Sequence, residues 1–485
     1  MNLPRILRPV RAVLPLALAV LAAATTDAAE PSRPNLVLIV SDDHSYPHVG
    51  AYGFPVATPA LDRFAREGMA FSHMFTTAPQ CAPSRASFAT GRSSVAVRAS
   101  RFSAGVPRAV EMFPEILRRD AGYYTGICRR SHHLDGWVHD DHPVTRALFE
   151  KHGLRTVPER FDFVKMGGKR ADTPVYVAEF LDRVPAGKPF FLWVNFNDPH
   201  HPWTAPAVND PATVPLPPDW PDLPELRADF AHYLDEVAQL DREFQSVLDQ
   251  LAQRGLADNT LVVFVGDNGV ALPRGKGALH DRGLRVPLLV RWPGALAAAG
   301  RTSDALVSGE DFAPTFLEAA GLPVPADMAG RSFLPLLRGE PAYRPRTEIF
   351  AMRGVHGTST YDETTLASGF DLSRAVRTDR YKLIVNYTPG MRYAPVDSAG
   401  EPGWQLIQKL HAAHELRAPF ERLFFATPRP IVELYDLARD PGEITNLAGR
   451  PEFAEVQRDL TVRLQEKMIV DYDYLPLPLR ESARQ

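Results

Sequence analysis

The segment Cys81-Ala82-Pro83-Ser84-Arg85 sets a thiol four residues ahead of a guanidinium. It lies between a Pro-containing loop and a helix-like stretch, residues 87–90, closed by Gly91-Arg92. Backbone N–H groups at a helix start favour anions. A nucleophile there would be well placed, and Arg85 could turn back to hold an anionic oxygen. By itself, such a cysteine reads equally as a buried structural residue. Cys128 is the only other cysteine. In an oxidising compartment, a disulfide between the two is the plain alternative.

Two further clusters carry oxygen donors. Asp42 and Asp43 follow one apolar run, and Asp267-Asn268-Gly269 follows another. Asp42, Asp43, Asp267 and Asn268 offer only hard oxygen ligands, with no His/Cys cluster of zinc spacing beside them. Such donor sets suit calcium or magnesium. Taken singly, each of these residues also reads as a helix cap or turn residue.

The elements that must position these groups are legible. Residues 35–40 (NLVLIV), 190–196 (FFLWVNF) and 261–265 (LVVFV) are continuous apolar runs. They read as strands buried on both faces of an α/β sheet. Each stops at a polar cluster, and open α/β sheets bind ligands at the carboxyl ends of their strands. Thr58-Pro59 opens a short helix that Gly68 closes. A long helix spans about 228–254. Its apolar stripe is Phe230, Leu234, Val237, Leu240, Phe244, Val247, Leu248 and Leu251, and His232 and its acids read as a solvated face. After about residue 346, short strands at 375–376, 381–385 and 433–437 and a helix at 451–468 suggest a smaller subdomain. There is no internal repeat.

Arg5, Arg8 and Arg11, an uncharged run from Ala12 to Ala24, and small residues at Ala28 and Ala29 form a secretory signal pattern. The run is short of the ~20 residues a bilayer span needs. The expectation is a signal peptide at 1–29, a catalytic domain at 30–345 and a C-terminal subdomain at 346–485. The protein is then secreted or periplasmic, without a membrane anchor. With 23% charged residues and a net charge of −4, no basic tract points to nucleic acid.

Cys-x-Pro-Ser-Arg followed by Thr-Gly-Arg resembles the type I sulfatase signature, and the acidic pairs at two strand ends fit the same family. The resemblance covers nearly the whole chain after the signal. It implies an alkaline-phosphatase-like α/β sandwich: a large central mixed sheet flanked by helices, plus a C-terminal subdomain with a short antiparallel sheet and a helix. It also implies that Cys81 is oxidised to formylglycine by a formylglycine-generating enzyme. Asp42, Asp43, the modified Cys81, Asp267 and Asn268 then bind a metal, Ca2+ rather than Mg2+. In the implied mechanism, formylglycine hydrates to a geminal diol. One hydroxyl attacks sulfur, the alcohol or amine leaves, and the second hydroxyl expels sulfate. Arg85 assists the nucleophile. Arg130 stands where the family has lysine, His132 falls at a family histidine with His133 adjacent, and Lys276 contacts sulfate. His200 protonates the leaving group, with His201 as the competing choice.

Thr125-Gly126-Ile127, Asp198-Pro199-His200 and the tail from Glu433 to Leu447 further resemble heparan N-sulfatases. That favours N-sulfoglucosamine of heparin or heparan sulfate as the sulfated saccharide, with Asp198, His201, Arg353 and His356 near the sugar. Asp198 is expected to pair with the sugar's amino group. An O-sulfatase of another glycan and a phosphonate monoester or phosphodiester hydrolase are alternatives. A glycan-binding protein that has lost catalysis is the alternative from another class.

Overall fold

Every residue of Asn35–Ser41 is buried, as an apolar run without alternation requires. The computed structural model describes Met1 and residues 33–101, 104–135, 143–153, 156–356 and 371–478. The expected signal peptide therefore falls outside the described residues, Met1 apart. The chain divides into Met1–Ser32 and Arg33–Gln485, and the fold is that of the second unit. No helix among the described residues is long and apolar enough to cross a membrane.

In chain order the strands are β1 (Asn35–Ser41), β2 (Met69–Phe71), β3 (Met74–Phe75), β4 (Tyr124–Cys128), β5 (Phe163–Lys165), β6 (Phe190–Asn195), β7 (Thr260–Gly266), β8 (Leu288–Arg291), β9 (Arg301–Ser303) and β10 (Val307–Ser308). Eight of them form one mixed sheet in the order β5-β4-β6-β1-β7-β8-β2-β9. The first five in that order run parallel. β8 is antiparallel to both β7 and β2. The three strands expected from sequence are thus neighbours at the sheet's centre, β6-β1-β7. One face packs Leu36, Leu38, Val40 and Trp193 into a core. The other packs Val37, Ile39, Leu192 and Phe264. Their carboxyl ends emerge together along one edge.

The long helix is Pro224–Gln253, starting four residues before the expected position with Pro224 in its first turn. Its expected stripe is buried save Leu248, which is partly buried. His232 is exposed, but the helix acids correct the solvated-face reading. Asp229, Asp235, Glu236, Asp241 and Glu243 are buried. Each is held by a hydrogen bond that offsets its desolvation. Asp241 accepts from the amides of Ala60 and Leu61 at 3.0 and 2.8 Å. It thereby caps the helix Pro59–Glu67, for which Thr58 supplies no side-chain cap bond.

The C-terminal sheet is β11 (Glu348–Arg353), β12 (Ser373–Thr378), β13 (Tyr381–Asn386) and β14 (Val432–Asp436), all antiparallel. The helix Ala454–Val470 packs on it through Leu460, Leu464 and Met468. Of these strands, only β11 was without a sequence signal. Glu433 in β14 lies 3.4 Å from His280, in the segment between β7 and β8. Burial alone would raise its carboxyl. The facing His280 and hydrogen bonds from Tyr435 and Asn386 instead bring it down to about 2. A depressed carboxyl contributes stability above its unfolded pKa, and that contribution is lost as pH falls from about 4.5 toward 2. The Glu433→Gln variant is therefore expected to be less stable than wild type at neutral pH, with a flatter loss of stability below pH 4.5. Thermal melts of both proteins across that window check this.

Candidate active site

Four neighbouring strand ends deliver the polar groups. Asp42 and Asp43 follow β1, Asp267 and Asn268 follow β7, Asn195 ends β6, and Arg129-Arg130 follow β4. Cys81 is the first residue of the helix Cys81–Thr90, so that helix begins six residues before the expected stretch. All ten of its residues are buried. Cys81 and Cys128 are both free thiols, which removes the disulfide alternative.

Cys81 Sγ lies 3.3 Å from Asp42 Oδ1 and 3.9 Å from Asp43 Oδ1. Asp42, Asp43 and Asp267 are wholly buried. Arg85, itself 1% exposed, pairs with Asp42 at 3.1 Å and Asp267 at 2.8 Å, and its other Nη binds Asn195 Oδ1. Arg130 pairs with the same Asp42 oxygen, Oδ2. Lys276 Nζ is 2.9 Å from Asp43 and 2.6 Å from Asp397. Strain concentrates here, with Asp43, Arg129 and Arg130 at positive φ of 64°, 57° and 24°.

The charges shape one another. Burial would raise the Asp42 carboxyl, but Arg130 and Arg85, then His200 and Lys276, hold it well below the usual range. Asp43 goes the other way. Burial, with Lys276 only partly offsetting it, and the carboxylates of Asp42, Asp267 and Asp397 push it up to about 8. The site thus holds more carboxylates than its cations keep ionised. Asn268 donates to Asp43 Oδ1 at 2.8 Å, while its own Oδ1 is buried without a hydrogen-bond partner. Crowded carboxylates beside an orphaned amide oxygen fit a hard divalent cation. Asp42, Asp43, Cys81 and His200, or Asp42, Cys81, His133 and Asp267, each bring ligand atoms within 4.8 Å of one another.

Of the two adjacent histidines, His133 is the one in that cluster, and it is buried. His132 lies in the same short turn, Ser131–Leu134, half-buried, with its ring 4.3 Å from that of His133. His200 Nε2 faces Asp43 at 3.7 Å and Asp397 at 3.6 Å, while its Nδ1 meets the His201 carbonyl. Burial, then Lys276 and Arg130, lower its pKa to about 3. His201 pairs with Glu401 at 2.7 Å, and His356 faces Asp397 at 3.8 Å.

Two expectations about the sugar change. Asp198 is 3% exposed, and Arg170 Nε binds its carboxylate at 2.6 Å. A buried carboxylate already paired with a guanidinium is no free partner for an amino group. Arg353 is also buried. It bonds the Gly277 carbonyl and pairs with Asp371 at 3.1 Å, so it braces the loop that carries Lys276. The residues that sequence reasoning missed are Asn195, Arg170 and Asp397. Asn195 had a signal, a polar residue closing an apolar strand. Asp397 had none, for it reaches the site from a distant loop.

Comparison with known proteins follows the same lines. Residues 34–322 match the family described as Sulfatase. Residues 275–405 match the family described as N-sulphoglucosamine sulphohydrolase, C-terminal. An ulvan-active sulfatase of Formosa agariphila is 30% identical, over 93% of this chain and 77% of its own. The N-sulphoglucosamine sulphohydrolase of Homo sapiens is 29% identical, over 88% of each chain. A solved structure in complex with its substrate D-glucosamine-2-N,6-O-disulfate superposes with a TM-score of 0.67 at 21% identity. That match covers 92% of this chain and 100% of the other.

Proposed function

The chain belongs to the sulfatase family, and from that premise we propose that it releases inorganic sulfate from a sulfated saccharide, N-sulfoglucosamine of heparin or heparan sulfate foremost. The observation that carries the chemistry is the constellation around Cys81: three buried carboxylates, Asn268, the buried cations Arg85 and Lys276, and the half-buried Arg130. The first support for the sugar is the match of residues 275–405 to the C-terminal family. The human relative adds to it.

Asp42, Asp43, Asp267 and Asn268 would hold a divalent cation, with calcium first by ligand type. Such a cation supplies Lewis-acid polarisation of a sulfate oxygen. Position 81, once oxidised to formylglycine and hydrated to the geminal diol, would supply a hydroxyl nucleophile. The chain's own residues do the rest. With Asp397, four carboxylates face three cations, so an added divalent charge turns the pocket from net negative to net positive and suits it to an anion. Arg85, whose Nε and both Nη are taken by Asp267, Asp42 and Asn195, holds the carboxylates in place, while Arg130, in place of a family lysine, can present its guanidinium to sulfate oxygens. His200 Nε2 faces the site, since Nδ1 meets a carbonyl. An arriving anion opposes the cations that depress its pKa. His200 then gains a proton with the substrate and passes it to the leaving nitrogen or oxygen.

A panel of N-sulfated, 6-O-sulfated and 2-O-sulfated glucosamine and uronate sugars tests the substrate. The expected result is a kcat/KM for the N-sulfated sugar at least ~10-fold above the others, a ratio that one well-placed polar contact supplies. Equal or faster turnover of an O-sulfated sugar would remove the N-sulfate reading and leave the sulfatase chemistry standing.

A further inference from the structure

We propose that Asp397 is a positioning residue that aims the Lys276 ammonium at the sulfate group, so that a loop after β13 completes the catalytic site. The inference rests on the reading of Lys276 as a sulfate contact.

An ammonium has three N–H donors and no acceptor. Lys276 is 0% exposed, and solvent satisfies none of them. Both Asp43 oxygens face it, at 2.9 and 3.0 Å, and Asp397 Oδ2 takes another direction at 2.6 Å. Once a cation takes one of the Asp43 oxygens, one donor is left for a substrate oxygen. When Asp43 serves a cation, its charge is shared, and Asp397 becomes the main counter-charge on Lys276. A lysine is a point charge on a flexible stem, and only its partners give it direction. Without Asp397, the ammonium would turn wholly to Asp43 and compete with the cation for that carboxylate.

The backbone is built for this approach. Asp397 itself has a φ of +64°. Gly277, next to Lys276, has a φ of +79°, and a Cβ there would lie 2.4 Å from Val396 Cγ2. Only glycine lets the Val396-Asp397 segment come this close. The Gly277 amide donates to the Pro79 carbonyl at 2.8 Å, which ties the same loop to the approach to Cys81. Asp397 also faces His200 and His356 at 3.6 and 3.8 Å. Its side chain is 31% exposed, whereas those of Asp42, Asp43 and Asp267 are at 0%. It is the one carboxylate of this group that meets both the buried cations and the open side of the site.

The test is a double-mutant cycle on the full, modified, calcium-loaded enzyme, using the best sugar from the panel. The proteins are wild type, Asp397→Asn, Asp397→Glu, Lys276→Met and the Asp397→Asn/Lys276→Met double variant. Asp397→Asn is expected to lower kcat by ~10–100-fold, the scale of a small misplacement in a site, with KM within about threefold. Asp397→Glu should recover part of that loss. The double variant should be within about twofold of Lys276→Met alone, because groups that act through one another are not additive. An Asp397→Asn enzyme within twofold of wild type, or losses that multiply in the double variant, would overturn the proposal. Wild-type turnover by Lys276→Met would instead overturn the sulfate-contact reading, and the proposal with it. Lost turnover in Lys276→Met beside wild-type turnover in Asp397→Asn would overturn the proposal alone.

Discussion

Replacing Cys81 by alanine is expected to abolish sulfate release while the chain keeps its fold. The thiol is wholly buried, 3.3 Å from one carboxylate and 3.9 Å from a second. Burial first, and then Asp42, push its pKa well above the ordinary thiol value. An unmodified Cys81 is therefore a neutral thiol, and it is the thiolate that attacks. The proposed oxidation to formylglycine would replace the sulfur by a better nucleophile once the aldehyde is hydrated. Loss of a nucleophile lowers kcat by on the order of 10⁴–10⁶-fold. Removing one buried sulfur atom costs only about 1 kcal/mol of stability. Two measurements check this together. Turnover should scale with the modified fraction of the Cys81 peptide seen by mass spectrometry, and the alanine variant should melt close to wild type. Full turnover by protein carrying an unmodified thiol would sink the idea.

Arg85→Ala carries the second large effect, and it falls on stability as much as on activity. The guanidinium is 1% exposed and lies between Asp42 and Asp267. It also binds Asn195, whose amide donates to the carbonyls of Cys128 and Arg129 at 3.1 and 3.2 Å. One side chain thus joins the ends of β1, β7, β6 and β4. Truncation leaves two buried carboxylates facing each other without that counter-charge. Breaking a buried pair in this way costs about 3–5 kcal/mol. Calcium should recover part of the loss, since a ligand that binds only the folded state stabilises it. Arg85→Lys should fall between, because it keeps the charge and loses the fork. Melting curves with calcium and with a chelator read both effects. An Arg85→Ala protein that melts like wild type in chelator would show that the guanidinium does not hold the strand ends together.

The buried runs at 35–40, 190–196 and 261–265 mark the sheet's centre in the sequence itself. Strands covered on both faces have no polar alternation, and that pattern is local. The metal-type donors were legible for a related reason, since they sit where those runs stop. The helix acids were misread because a carboxylate on a helix reads as solvated until something covers it. Asp241 and Glu236 are covered by loops whose amides they accept, at the starts of the helix Pro59–Glu67 and of the segment Thr204-Ala205. His132 and His133 were indistinguishable by spacing, and a tight turn after Arg130 decided which of them joins the Cys81 cluster.

Cys81, Arg85 and the acids at two strand ends are marked by residue type and short-range spacing, and the sulfatase family by their resemblance to its signature. Asp397 beside Lys276, Arg170 on Asp198 and Asn195 under Arg85 were decided only in three dimensions. Each of these contacts joins chain segments that no local pattern connects. A buried charge must find a partner wherever the fold brings one.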